Sequence, residues 1–310
     1  MGFENSEPKF RKTATFRLCK VKSQTTELLE IQSDEPTLHV LFIPGNPGVV
    51  TFYKDFVESL YDLLGGTASV TAIGHLSFTM KNWERGKLFS LQQQIVHKVD
   101  FIEQENIGVP IVLIGHSIGS YMSLEIMRRA SKQVVYFVGL YPFLKMNPLS
   151  VKQKRYDKLA EKPCLCAVVC CTVSTLGWMP KCLQRHVASR TVGKTWSPNA
   201  LDAACTHLVR YHTLRNIIYL AKSEFRKLSE ELDWEFMKQN ERKITFLFGL
   251  DDHWGPLTMF EEISKKVPSI ALSIEREGHM HSFCTTEAGS AWVAQYAAGL
   301  IKTRLPITSV

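Results

Sequence analysis

A chain of 310 residues with 45% hydrophobic content has enough apolar mass to bury one large α/β core or two small ones. Residues 1–12 are polar and charged, so no signal peptide is expected, and no stretch reaches the roughly twenty apolar residues of a spanning helix. Four of the eight cysteines crowd into one apolar run, which excludes a secreted disulfide framework, and a formal net charge of +7 is too modest to suggest a nucleic-acid partner.

Residues 13–21 and 27–32 read as short strands ahead of a polar turn at Ser33-Asp34-Glu35-Pro36. Residues 38–43 (LHVLFI) form a buried strand that runs into Pro44-Gly45-Asn46-Pro47-Gly48. A helix follows over 51–64, apolar at 52, 56, 57, 60, 63 and 64. A rigid Pro/Gly loop between strand and helix can hold a backbone N–H in a fixed direction beside the sheet's carboxyl edge, although a plain turn would look similar. Neither of the common glycine-rich phosphate patterns is present. Residues 69–74 are the next strand, with His75 just beyond it at a position expected to line a pocket, and a long amphipathic helix spans 87–106.

The strand 111–114 is apolar, mostly β-branched, and ends in Gly115-His116-Ser117-Ile118-Gly119. In a G-x-S-x-G elbow the serine occupies a strained turn between strand and helix, and its hydroxyl projects above the sheet. A side chain two positions away on either side would collide with that turn or with a neighbouring strand, which accounts for Gly115 and Gly119. The helix expected over 121–129 points its positive end at the serine. Such a pentapeptide alone is a weak signal; behind a buried strand and ahead of a helix it makes Ser117 a nucleophile candidate. His116 is expected to pack on the loop.

A strand at 133–139 completes a run of alternating strands and helices, the pattern of one doubly wound, mostly parallel sheet. Residues 145–240 break it. Several tracts read as helix, His207 and His212 fall on them, and residues 145–194 carry ten Lys/Arg against two Asp/Glu, more than the whole excess of positive charge. Within this stretch, residues 163–180 hold sixteen uncharged positions between Pro163 and Pro180. As a helix these reach about 24 Å, short of a hydrocarbon core of about 30 Å. The run therefore reads either as a lid packed over a pocket or as a segment that enters a lipid surface without crossing it, its basic flanks facing anionic headgroups. Alternation resumes with strand 243–249, helix 256–266, strand 270–274 and helix 286–302. The domain reading is an N-terminal extension with its strands at 1–35, a core at 36–144 and 241–310, and a helical insertion at 145–240.

A serine hydroxyl at neutral pH needs a base, and the base needs a group to orient it. In an open α/β sheet these gather at the carboxyl ends of later strands. Asp251 and Asp252 follow strand 243–249, and His279 and His281 follow strand 270–274, so the chain order is Ser, Asp, His. Cys182 and His186 lack a second ligand pair, and neither a metal nor an organic cofactor is expected.

On these motifs the chain resembles the α/β-hydrolase superfamily from about residue 36 to 303. More narrowly, Ile43-Pro44-Gly45-Asn46-Pro47-Gly48, Ile114-Gly115-His116-Ser117-Ile118-Gly119-Ser120 and a Trp two residues after the acid resemble the lipid droplet-associated hydrolase family. The resemblance implies an α/β-hydrolase fold with a helical lid or insertion. It implies a triad of Ser117, Asp252 and His281, with the backbone N–H groups of Asn46 and Ile118 as oxyanion donors. The superfamily's Gly-x-x-Asp spacing from Gly249 selects Asp252 over Asp251, and His281-Ser282-Phe283 is similar to the family's His-Ala-Phe. The implied activity is serine hydrolysis of a neutral lipid ester, a sterol ester or acylglycerol. The implied setting is a lipid droplet monolayer or the cytosolic face of the endoplasmic reticulum membrane, bound monotopically; no protein partner is implied. Two other readings stand beside it: a droplet coat or lipid-storage protein with slight activity, and a soluble thioesterase or small-ester esterase.

Overall fold

The computed structural model describes residues 12–147, 149–191 and 195–305. Residues 1–11 of the expected extension at 1–35, Lys194 of the basic segment and the last five residues of the core range lie outside these.

The expected strands are present: β1 (Thr15–Val21), β2 (Gln24–Ile31), β3 (Leu38–Ile43), β4 (Ala68–Ile73), β5 (Ile111–His116), β6 (Val134–Leu140), β7 (Ile244–Gly249) and β8 (Ala271–Glu275). They form an eight-stranded sheet in the order β1-β2-β4-β3-β5-β6-β7-β8. β1 and β2 form an antiparallel pair, β2 runs antiparallel to β4, and every later pairing is parallel. Parallel strands covered on both faces must be apolar throughout. β3, β4, β5 and β7 are buried at every position. Fully burying each Val, Leu or Ile there contributes about 1.5–3 kcal/mol, which anchors the middle of the sheet.

The flanking helices pair off: α1 (Lys54–Leu63) packs on α11 (Glu287–Arg304), and α2 (Leu91–Glu105) on α3 (Ile118–Arg129). Local chemistry moves two of the expected boundaries. α2 starts at Leu91 rather than 87, because Ser90 accepts from the Gln93 N–H while the Gln93 side chain returns to the Ser90 N–H. The helix expected from residue 51 opens as a single 3₁₀ turn, Val50–Tyr53, before α1 begins.

The insertion between β6 and β7 is helical: α4 (Val151–Ala160), α5 (Pro163–Thr175), α6 (Lys181–Thr191), α7 (Pro198–Ala203), α8 (Tyr211–Leu228) and α9 (Trp234–Gln239). α8 joins it to the core through buried Leu220, Phe225 and Leu228. α5 lies against α8 and buries only Cys166 and Cys170. Val168 and Trp178 stand 61% and 91% exposed, so the uncharged run is not packed away as a closed core would require. Among the described residues no single helix is long and apolar enough to cross a membrane; α4 and the segment Pro163–Trp178 meet at a 92° bend.

Candidate active site

β5 and α3 meet at Ser117, whose backbone angles of φ 55° and ψ −124° lie where a non-glycine residue is strained. Both flanking glycines are required by contact. A Cβ on Gly115 would come 2.4 Å from the Gly119 carbonyl oxygen, and one on Gly119 would come 2.2 Å from that of Ile43 on β3. The Ser117 N–H is held by the Leu140 carbonyl of β6 at 3.0 Å, and its own carbonyl accepts from Phe143 N–H at 3.1 Å. The elbow is thus clamped between two neighbouring strands.

The loop after β8 brings His281 to this serine. Its Nε2 lies 3.0 Å from Ser117 Oγ, and its Nδ1 lies 2.7 Å from Oδ2 of Asp252 in the loop after β7. Burial alone would raise the Asp252 carboxyl. Facing His281, with its hydrogen bond and those of the Trp254 and Gly255 N–H groups, it is held below its ordinary value and stays ionised. The neighbouring candidates point elsewhere. Asp251 is exposed, and the His279 ring packs 5.6 Å from that of Trp292.

Asn46 lines the same cavity as Ser117 and His281. Neither the Asn46 N–H nor the Ile118 N–H, at the first helical position of α3, has a protein acceptor among the described residues. Two unpaired donors beside a strained serine, one of them at a helix N-terminus, suit the stabilisation of developing negative charge.

Sequence reasoning missed how tightly these parts are tied together. Gly45 N–H donates to Tyr53 Oη at 3.1 Å, and that hydroxyl lies 2.7 Å from His116 Nδ1. His116 Nε2 lies 2.9 Å from the His281 carbonyl. The ring must donate there, so its Nδ1 accepts from Tyr53. Burial first, then His281, hold His116 down to about 3, so it stays neutral and the relay keeps one direction. His116 therefore does more than pack on the loop: it links the loop after β3 to the backbone of His281. His75, expected in the pocket, lies fully buried beneath Gly48, where an added Cβ would meet its ring at 2.1 Å. The β3 loop passes directly over that ring and leaves it no access to the cavity. His207 and His212 sit on the insertion as expected and face the core, at Glu27 and the Thr79 carbonyl.

The cavity above Ser117 measures about 380 Å³ and is mostly apolar. The ring of Trp254, two residues beyond Asp252, stacks on Phe225 of α8 at 6.2 Å and on Tyr156 of α4 at 5.7 Å. Its roof comes from the insertion: Leu159 and Ala160 of α4, Val169 and Cys170 of α5, and Ile217 and Ala221 of α8. Only the sheet-side residues carried a motif; the roof is built from apolar side chains with no spacing that marks them as pocket rather than core.

The sheet order, the strained elbow and the helical insertion after β6 define an α/β-hydrolase. Solved structures agree on the fold. The haloalkane dehalogenase DbeA from Bradyrhizobium elkani superposes with a TM-score of 0.68 at 14% identity, covering 94% of this chain and 98% of that one. An epoxide hydrolase from Vigna radiata gives 0.65 at 13%, covering 94% and 99%. A thermophilic esterase from Thermogutta terrifontis gives 0.62 at 12%, again covering 94% and 99%. Residues 36–284 match the family model described as lipid-droplet associated hydrolase, and the chain belongs to that hydrolase family. Relatives named lipid droplet-associated hydrolase include those of Gallus gallus, 29% identical over 265 residues and covering 80% of each chain, and Homo sapiens, 28% over 295 residues and covering 84% of each.

Proposed function

We propose that the protein is a serine ester hydrolase of neutral lipid that works at the surface of a lipid droplet, or on the cytosolic face of the endoplasmic reticulum as a monotopic protein. The observation that carries the chemistry is the unbroken line Asp252–His281–Ser117, whose His281 and Ser117 line an apolar cavity. Ser117 Oγ attacks the ester carbonyl while His281 Nε2 takes its proton; Asp252 holds the ring and stabilises its charge. The oxyanion accepts from the N–H groups of Asn46 and Ile118. Collapse of the tetrahedral intermediate expels the alcohol, which takes the proton from His281. Water activated by the same histidine then adds to the acyl-enzyme, and fatty acid leaves as Ser117 recovers its proton. No cofactor or metal takes part.

The surface reading rests on α5 and the turn after it, which turn Val168 and Trp178 outward between basic flanks while Val169 and Cys170 face the cavity. A segment placed this way opens the active site toward the lipid it rests on. The relatives' name, which places them at lipid droplets, supports the same location.

Labelling with a fluorophosphonate probe, followed by turnover of emulsified sterol esters and acylglycerols, tests the proposal. Wild type should label and Ser117→Ala should not, with unchanged thermal unfolding. Equal labelling of the two would place the reactive serine elsewhere. Labelling without turnover on any lipid ester would favour the coat or storage role instead.

A further inference from the structure

Two side chains in the apolar cavity are polar without a task in the reaction. Glu224, on α8, is 4% exposed, and its Oε1 has no hydrogen-bond partner among the described residues. The Asn46 side chain turns its Nδ2 to the Ile217 carbonyl of α8 at 3.0 Å, which fixes the amide's orientation and leaves Oδ1 buried without a donor. Both residues line the space that contains Ser117 and His281. Buried polar atoms are almost always satisfied, and a leucine at 224 would fill the same wall without the desolvation penalty. Two cavity-lining residues that each keep a buried oxygen without a partner among the described residues mark a place where a ligand supplies what the protein lacks.

The chemistry of that ligand follows from the pair. Burial pushes the Glu224 carboxyl up to about 8, a side-chain hydrogen bond from the Asn46 amide opposing the rise, so near neutral pH the group mainly keeps its proton. A protonated carboxyl donates one hydrogen bond and the amide oxygen accepts one. The complement is a group that accepts and donates at once: an alcohol hydroxyl. Its position on the substrate follows from Asn46, whose own N–H is an oxyanion donor, so its side chain stands within a residue's length of the scissile carbonyl. An ordinary acyl chain is bare hydrocarbon there, whereas glycerol with an unesterified position carries a hydroxyl three or four bonds from the ester oxygen.

We propose that Asn46 and Glu224 form a subsite for a free hydroxyl on the alcohol side of the ester, which makes partial acylglycerols the preferred substrate class over sterol esters and triacylglycerols; this rests on the serine ester hydrolase reading above. The hydroxyl donates to Asn46 Oδ1 and accepts from the Glu224 carboxyl. Sterol esters and triacylglycerols have no hydroxyl to offer and leave both atoms unpaired.

Matched soluble esters test this on the full chain: 2-hydroxyethyl butyrate, 2-methoxyethyl butyrate, and ethyl 3-hydroxybutyrate, which moves the hydroxyl to the acyl side. Wild type should prefer the hydroxyethyl over the methoxyethyl ester about tenfold in kcat/KM, and Glu224→Leu should bring that ratio to about one while Glu224→Gln keeps most of it. A wild-type ratio near one, a ratio unchanged in a folded Glu224→Leu, or a preference for the acyl-side hydroxyl would each overturn the proposal. The wild-type ratio decides alone if Glu224→Leu does not fold. Hydrolysis of the methoxyethyl ester without preference sinks the subsite only, whereas no hydrolysis of any ester and no probe labelling sinks the parent reading and the subsite with it.

Discussion

The carboxyl edge of the sheet and the helices above it treat apolar side chains in opposite ways. β5 buries all six of its residues, and the glycines around Ser117 leave no room for a methyl group. α5 is as apolar in composition, yet it buries two cysteines and turns Val168 outward, with Trp178 standing out just beyond it. The first region is specified from within, by contacts that admit one side chain at each position. The second is specified from outside, because its exposed apolar face gains free energy only when something other than water covers it. The two meet at α8, whose Ile217 carbonyl holds the Asn46 side chain. On the function proposed above, chemistry is built into the sheet, address into the insertion, and one helix connects them.

If that division is correct, substitutions at the sheet edge should act on turnover or folding and leave surface binding alone. The largest effect is expected for Asp252→Asn. Losing the charge that orients His281 costs about 10³–10⁴-fold in kcat in triads of this kind, whereas Asp251→Asn, at an exposed position, should stay within a few-fold. Steady-state kinetics on one soluble ester compares them, and the reverse ranking would reassign the acid. Next comes Gly119→Ala. The added Cβ would lie 2.2 Å from the Ile43 carbonyl oxygen, backbone against backbone, so relief requires β3 and α3 to separate. A loss of about 3 kcal/mol or more is expected in urea unfolding, and a change below about 1 kcal/mol would mean that the elbow is looser than its contacts indicate.

The same contrast explains how much could be read from the chain alone. The sheet edge was legible because its constraints are local: four apolar residues and a G-x-S-x-G give strand, turn and helix without knowledge of anything distant. The acid and base needed the family's spacing to separate Asp252 from Asp251 and His281 from His279. The Tyr53–His116–His281 relay was hidden because it joins residues 63 and 165 positions apart, and Tyr53 carries no motif. His75 was misplaced for a related reason. Proximity to a strand's carboxyl end brings a residue near a pocket, but here Gly48 lies over the ring. Glu224 was invisible as well, since one glutamate on an amphipathic helix looks like any solvated charge until its neighbours in space are known.

A smaller effect, on the helix that joins the two regions, concerns stability against pH. The Glu224 carboxyl titrates at 4.5 in the unfolded chain and, with burial pushing it up, at about 8 in the fold. A raised carboxyl binds its proton more tightly in the folded state. Its contribution is therefore fully present below 4.5 and declines as pH rises toward 8. At pH 7 the cost is about 3 kcal/mol by this linkage, and less once relaxation is allowed. Glu224→Gln cannot titrate, so it should be the more stable protein at pH 7 by about 2–3 kcal/mol, with the gap narrowing toward pH 5. Urea unfolding at unit steps from pH 5 to 8 reads this directly. Parallel curves for the two proteins would mean that Glu224 is solvated in solution.

The smallest effect on the fold should come from the surface that differs most from the sheet. Val168 and Trp178 are 61% and 91% exposed, so Val168→Asp with Trp178→Asp removes little packing and should shift unfolding by less than about 0.5 kcal/mol. Probe labelling of Ser117 should persist, because neither side chain lines the cavity. Binding is another matter. Two apolar side chains that would enter a monolayer become two carboxylates that cannot, and partition onto phospholipid-coated triolein droplets should fall tenfold or more. Lys158, Lys162 and Lys181 remain, so residual binding should be confined to anionic monolayers and should disappear as salt rises. Undiminished droplet coating by the double variant would remove α5 from the binding surface. Lost labelling or a large drop in stability would instead make the segment a packed lid, and the separation between chemistry and address would fail at its outer edge.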